Sequence, residues 1–119
     1  MKVAVVGVCT SGKTTLVQAL RQLGYDAYSV AQEHSHIRRM WALRHPDFVV
    51  FLDCTYETAL KRRAVPWSRG HMDEQRKRLA DARAHCDLFV QTDGLSPAQV
   101  VDLVVEAIRK VEGDGLCRR

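Results

Sequence analysis

The chain is poor in several features, and each shortage excludes a class of protein. Its four cysteines, Cys9, Cys54, Cys86 and Cys117, are scattered without a C-x-x-C pair. Neither a zinc-ligand set nor a disulfide framework is therefore expected. With no leader-like segment at the N-terminus, reduced thiols and a cytoplasmic location are the expectation. No apolar run is long enough to cross a bilayer, so no membrane partner is expected. Aromatic residues make up only 7% of the sequence and are not interleaved with the basic ones. A nucleic-acid surface would need that interleaving, so no nucleic-acid partner is expected. Internal repeats, low-complexity tracts and linkers are also lacking. A length of 119 residues suits a single domain. We expect it to span 1–112, with 113–119 as a frayed tail.

What is present is an ordinary globular balance, 46% hydrophobic and 27% charged, with a net charge of +4 that suits a phosphorylated ligand. The informative stretch is Gly7-Val8-Cys9-Thr10-Ser11-Gly12-Lys13-Thr14, which reads G-x-x-x-x-G-K-T, the phosphate-binding P-loop pattern. Before it lies Val3-Ala4-Val5-Val6, a run suited to a buried strand. After it comes a helical pattern from Thr15 to Leu23. Gly7 and Gly12 allow a tight turn and close backbone approach to a ligand. The amides of Thr10, Ser11, Gly12 and Thr15 would then face an anion, helped by the helix dipole. Lys13 would reach the β and γ phosphates of ATP, and the Thr14 hydroxyl would meet Mg²⁺.

The remaining elements alternate between strand and helix. Leu16, Ala19, Leu20 and Leu23 mark one face of the first helix, and Gly24 reads as its stop. Asp26–Gln32 reads as a strand, and His34 or Ser35 to about Arg44 as a helix with Ile37, Met40 and Trp41 inward, ended by Pro46. Phe48–Leu52 is a continuous apolar run, hence a strand covered on both faces. Thr55 caps a helix from Tyr56 to Arg63 with Ala59 and Leu60 inward. Residues 64–72 read as a loop, Asp73 to about His85 as a polar helix, and Asp87–Thr92 as a strand. Ser96-Pro97 opens a last helix with Val100, Val104, Ala107, Ile108 and Val111 buried. This alternation predicts an α/β fold of three layers, α/β/α, around a four-stranded parallel sheet.

Ligands in such sheets bind at the carboxyl ends of the strands. That rim would carry the glycine loop, Gln32-Glu33, Asp53 and Thr92-Asp93. Magnesium needs a carboxylate beside Thr14, and two residues compete for the role. Asp53 follows the strongest strand. Glu33 follows a weaker one and opens the cluster Gln32-Glu33-His34-Ser35-His36. Either would serve equally as a helix-flanking acid, so the choice stays open.

Three stretches carry a family resemblance: G-V-C-T-S-G-K-T-T, then F-L-D-C-T-Y-E-T-A-L-K-R-R, then a short loop and an arginine-bearing helix. Together they resemble the P-loop nucleoside monophosphate kinases and their relatives, such as the adenylate, thymidylate and shikimate kinases. The resemblance implies the P-loop NTPase fold and transfer of the ATP γ-phosphate, with Mg²⁺, to a small acceptor such as a nucleoside monophosphate. It places Glu57, Arg62 and Arg63 on a helix before a lid, Trp67 to Gly70 in the lid remnant, and Arg76 to Arg83 on the helix after it. Family members usually have five strands and an inserted acceptor-binding segment, and this sequence has four strands and no insert. If Tyr28 to Gln32 stands in for the family's acid-bearing strand, Glu33 takes the acid's position, Asp53 becomes secondary, and the strand order is 2-1-3-4. The alternative is a nucleotide-binding switch or slow NTPase working with a partner protein. A chain this small has little surface to enclose two substrates, which makes a homodimer an expected way to complete the site.

Positioned guanidiniums stabilise the charge of a transferring phosphoryl group. Arg62, Arg63 and Arg69 beside the lid are the candidate catalytic arginines, with Lys13. Trp67 could stack a base, whereas Trp41 fits a core. His34 and His36, two apart, suit a cap or surface better than a metal. Cys9 reads as a small loop residue, not a nucleophile.

Overall fold

The computed structural model describes residues 1–8, 11–62 and 68–118, with side chains as far as 112. Four strands, β1 (Lys2–Gly7), β2 (Asp26–Ser29), β3 (Phe48–Asp53) and β4 (Leu88–Gln91), form an all-parallel sheet in the order β2-β1-β3-β4. This is the order implied by the family resemblance. Its two central strands are apolar at every turn of the pleat because both faces are covered. Val3, Val5, Val50 and Leu52 join a core with α1 (Lys13–Gln22) and α4 (Pro97–Arg118). Ala4, Val6, Val49 and Phe51 join a second core with α2 (Tyr56–Arg62) and α3 (Arg69–His85). Helices thus lie on both faces, giving three layers.

Several boundaries differ from the sequence pattern, each for a local reason. The expected helix from His34 to Arg44 is replaced by two 3₁₀ turns, Gln32–His34 and Met40–Ala42. Buried Gln32 is the cause. Its Nε2 donates to the Ile37 carbonyl at 2.6 Å and its Oε1 accepts from the Trp41 amide at 2.9 Å. A side-chain amide that claims backbone partners competes with the helical ladder. β2 ends at Ser29 rather than Gln32. Trp41 is buried as expected, and Ile37 is exposed.

Leu23, expected on the inner face of the first helix, is 58% exposed. It is the C-cap of α1, and Gly24 at φ 95° turns the chain away beyond it. Leu60 is likewise exposed, since only Ala59 of the seven-residue α2 is buried. The helix expected from Asp73 starts at Arg69, because Ser68 caps it through its Oγ, 3.3 Å from the His71 amide. The described part of the expected loop over 64–72 is therefore helix from Arg69 onward. At the C-terminus, α4 continues to Arg118 instead of fraying at 113. That stretch holds no proline, and isolated glycines cost a helix only about 1 kcal/mol each. Its start matches expectation. Ser96 and Gln99 form a reciprocal cap, with the Gln99 amide 3.1 Å from Ser96 Oγ and the Ser96 amide 2.8 Å from Gln99 Oε1.

The two loop glycines are required for different reasons. Gly7 pairs with Leu52 across β1 and β3, and a Cβ there would sit 2.1 Å from the Leu52 carbonyl oxygen. Gly12 has open space around it but holds φ 100°, a conformation that disfavours side chains. Gly12→Ala is expected to cost about 1–3 kcal/mol from backbone strain alone. Gly7→Ala is expected to cost more, because β1 and β3 must separate to admit the methyl group. Urea denaturation of both variants beside the parent chain measures the ranking, and the reverse order would refute the steric account.

Candidate functional site

From β1 the chain crosses first to β2 on one side, and later to β3 on the other. Between β1 and β3 the connections diverge, which opens a crevice at their carboxyl ends. The glycine loop emerges there. After Val8, the buried Ser11 amide donates to the Val8 carbonyl at 3.3 Å, and left-handed Gly12 opens α1. Gly12 supplies no side-chain cap, and the first turn of α1 holds no acid. A helix begun in this way presents backbone donors and the positive end of its dipole to an incoming anion. Thr14 and Thr15 are exposed on that first turn. The Ser11 hydroxyl is buried and makes no hydrogen bond among the described residues. Cys9 and Thr10 lie outside the described residues.

Of the two competing acids, Glu33 is the one joined to the loop. Lys13 forms an ion pair and hydrogen bond with Glu33 Oε2, and also donates to the Gly7 carbonyl at 2.7 Å. The Glu33 side chain is only 4% exposed. Removing Lys13 alone would leave a buried carboxylate without its main counter-ion. Asp53 stands at the end of β3, one residue past the partner of Gly7. It accepts from the Cys54 amide at 2.8 Å and from Arg76 Nη2 at 3.2 Å. Arg76 also donates to the Cys54 carbonyl at 2.8 Å. Thr14, Glu33 and Asp53 carry oxygen donors of the kind Mg²⁺ takes. Among the described residues, no group of three or more His, Cys, Asp or Glu forms a metal cluster.

The candidate arginines are dispersed by the fold. Arg62 reaches the end of β4, donating to Thr92 Oγ1 at 3.0 Å and to the Thr92 carbonyl at 2.8 Å. Arg69 turns instead to Glu57, in an exposed ion pair, and lies over the Tyr56 ring at 5.0 Å. Arg63 and Trp67 lie outside the described residues. Arg76 was one member of a charged cluster in the sequence, and only the fold aims it at Asp53.

Beside the loop is a cavity of about 320 Å³. Ser11, Gly12, Thr15, Arg62, Leu95 and Pro97 are among the residues that line it. The sequence did not signal this cavity, because its walls come from α1, α2 and the β4–α4 turn. Asp93 fixes that turn. Its Oδ1 accepts from the Thr55 amide at 3.0 Å and from Thr55 Oγ1 at 2.9 Å. Gln91 donates to its other oxygen. Burial alone would raise the Asp93 carboxyl, but hydrogen bonds from Thr58, Gln91 and Thr55 outweigh it and hold the group far below the usual carboxylate range.

No family model matches the chain, and no curated protein matches it significantly. No described helix is long and apolar enough to cross a membrane.

The depressed Asp93 carboxyl fixes the sign of a pH effect. Its stabilising contribution is complete above the unfolded value of about 3.9 and is lost as pH falls through the lower folded value. Asp93→Asn is expected to be less stable than the parent by about 1–3 kcal/mol at pH 7. That gap should narrow steadily in denaturation curves taken below about pH 4. A gap independent of pH would show that the carboxylate charge is not what fixes the turn.

Proposed function

We propose that the chain is a compact P-loop kinase, which binds ATP with Mg²⁺ and moves the γ-phosphate to a small acceptor such as a nucleoside monophosphate. The observation that carries this reading is the G-x-x-x-x-G-K-T sequence at a strand–loop–helix junction, with an uncapped α1 start at the sheet crevice. In this reading the α1 amides and Lys13 hold the β and γ phosphates. Lys13 exchanges Glu33 for phosphate oxygens as ligand enters, so Glu33 keeps the ammonium aimed at the loop beforehand. The cavity beside Thr15 takes the base. Of the two acids, Asp53 is the better partner for Thr14 at Mg²⁺, because it stands on the strand-end rim one residue past the partner of Gly7, whereas Glu33 is nearly fully buried. Magnesium supplies charge neutralisation on the phosphates. Arg76, beside Asp53 in the crevice, joins Arg62, Arg63 and Arg69 as a candidate to stabilise the transferring group. A second copy of the chain completing the acceptor site, and a cytoplasmic location, belong to the same proposal.

A nucleotide-binding switch or slow NTPase is the second reading. One observation favours it. Between α1 and β2 the chain makes only a turn over residues 23–25, with no inserted acceptor-binding segment.

ATP and Mg²⁺ incubated with a panel of nucleoside monophosphates separate the two readings, by assay of ADP and of phosphorylated product. The kinase predicts a new phosphoester with at least one acceptor. ADP formed without any phosphoester across the panel would leave the NTPase reading. The binding control is Lys13→Met combined with Glu33→Gln, which avoids a stranded carboxylate. It is expected to weaken ATP binding by about 10–100-fold, the worth of one charged hydrogen-bonding group. Unchanged affinity in a folded double variant would overturn nucleotide binding at this loop. Asp53→Asn should raise the Mg²⁺ concentration needed for half-maximal turnover more than Glu33→Gln does.

A further inference from the structure

A second basic site lies on the flank of the sheet, behind Glu33. The segment after β2 and one face of α3 enclose a groove of about 500 Å³, with His36, Arg38, Lys77, Arg78 and His85 along its walls. At its base is Asp81, a buried carboxylate that accepts from Trp41 Nε1 at 3.0 Å. Arg38 Nε and Arg39 Nε lie 3.3 and 3.2 Å from its oxygens, and His85 Nδ1 3.6 Å. Trp41 also stacks on the His85 ring, with centroids 5.8 Å apart. The carboxylate therefore draws two guanidiniums to itself by charge, whereas the His85 ring is held by its Nδ1, 2.8 Å from the Asp81 backbone carbonyl. Burial would raise the Asp81 carboxyl, but the Trp41 hydrogen bond and the charges of Arg39, His85 and Arg38 outweigh it and keep the group ionised.

The charges do not balance. Arg38, Lys77 and Arg78 line the groove with one carboxylate, Asp81, among the described residues there; Arg39 pairs with Asp81 from outside the lining, and the surface acid Glu74 lies 3.7 Å from Lys77. Arg78 is only weakly engaged. Its Nη1 is 3.4 Å from the Glu33 carbonyl, and its buried Nε has no hydrogen-bond partner among the described residues. A guanidinium with a buried donor left unmet favours an acceptor-rich anion. Planar guanidiniums match phosphate oxygens in pairs, and the volume is that of a small-molecule pocket. A long acidic peptide would instead need an extended basic row.

We propose that this groove, separate from the glycine loop, binds the phosphate group of a small phosphorylated molecule through Arg38, Lys77 and Arg78. Its donors suit a dianionic phosphate, whether free or as a monoester. The site does not depend on the kinase reading, because Glu33 stands between the two. Its carboxylate meets Lys13, and its carbonyl faces Arg78.

Amide chemical shifts of the full chain test it, at fixed ionic strength, with inorganic phosphate, glycerol 2-phosphate and hexaglutamate titrated in turn. Saturable shifts over Ser35–Arg38 and Lys77–His85 are expected with either phosphate compound, and the tighter of the two names the source. They should persist in Lys13→Met/Glu33→Gln. Arg38→Gln combined with Lys77→Gln should weaken them at least about tenfold. Both side chains are highly exposed, at 79% and 77%, so this variant is expected to fold. Phosphate shifts confined to Gly12–Thr15, groove shifts untouched by the double variant, or a response to hexaglutamate alone would each overturn the proposal. Failure of ATP to bind would be read separately, at the Gly12–Thr15 amides.

Discussion

The contact on which the rest depends is between two backbones. At Gly7 the end of β1 lies so close to Leu52 of β3 that no side chain fits between them. That closeness sets where the chain leaves the sheet, and so where Gly12 can turn and start α1. It also puts Asp53 one residue past the contact, on the same rim as the loop. A looser junction would still allow a sheet, but the loop and the acid would lose their fixed spacing. Packing reinforces the junction from both faces, because β1 and β3 contribute to both cores.

Electrostatics forms a second layer of constraint. Three carboxylates withdrawn from solvent, Glu33, Asp53 and Asp81, each meet cations from elsewhere in the chain: Lys13, Arg76, and Arg38 with Arg39. Burying a charge is costly unless it is paired, so each pair fixes an element that the sheet alone would not place. Lys13 joins the glycine loop to the turn after β2. Arg76 joins α3 to the end of β3. The Asp81 cluster joins α3 to the segment carrying Arg38 and Trp41. In the proposed readings, an anion arriving at either basic site would compete with a carboxylate for cations that the fold has already placed.

The layered fold was legible in the sequence because it follows from patterns along single elements, whereas the strand order was implied only by the family resemblance. Continuous apolar runs marked β1 and β3, spaced apolar residues marked α1 and α4, and Thr55 and Ser96 marked helix starts that the fold retains. The misread elements were those whose backbone answers to a distant or unusual partner. Gln32 reads as the polar end of a strand on the rim, yet its amide reaches Ile37 and Trp41 and displaces a helix. Ser68 looked like part of a loop and is a cap. Leu23 and Leu60 fitted a helical stripe but fall where a short helix has ended or has one side covered.

The site divides along the same line. By itself the sequence determined the glycine spacing, the lysine after it, and the strand and helix around them, since a tight anion-facing turn needs those residue types in that order. Which acid meets Lys13, which arginine faces Asp53, and where the cavity and the basic groove open were decided only by the tertiary structure. Each of those contacts joins residues 20 or more positions apart. Local chemistry is written in neighbouring residues, whereas the pairing of remote charges depends on how the layers stack.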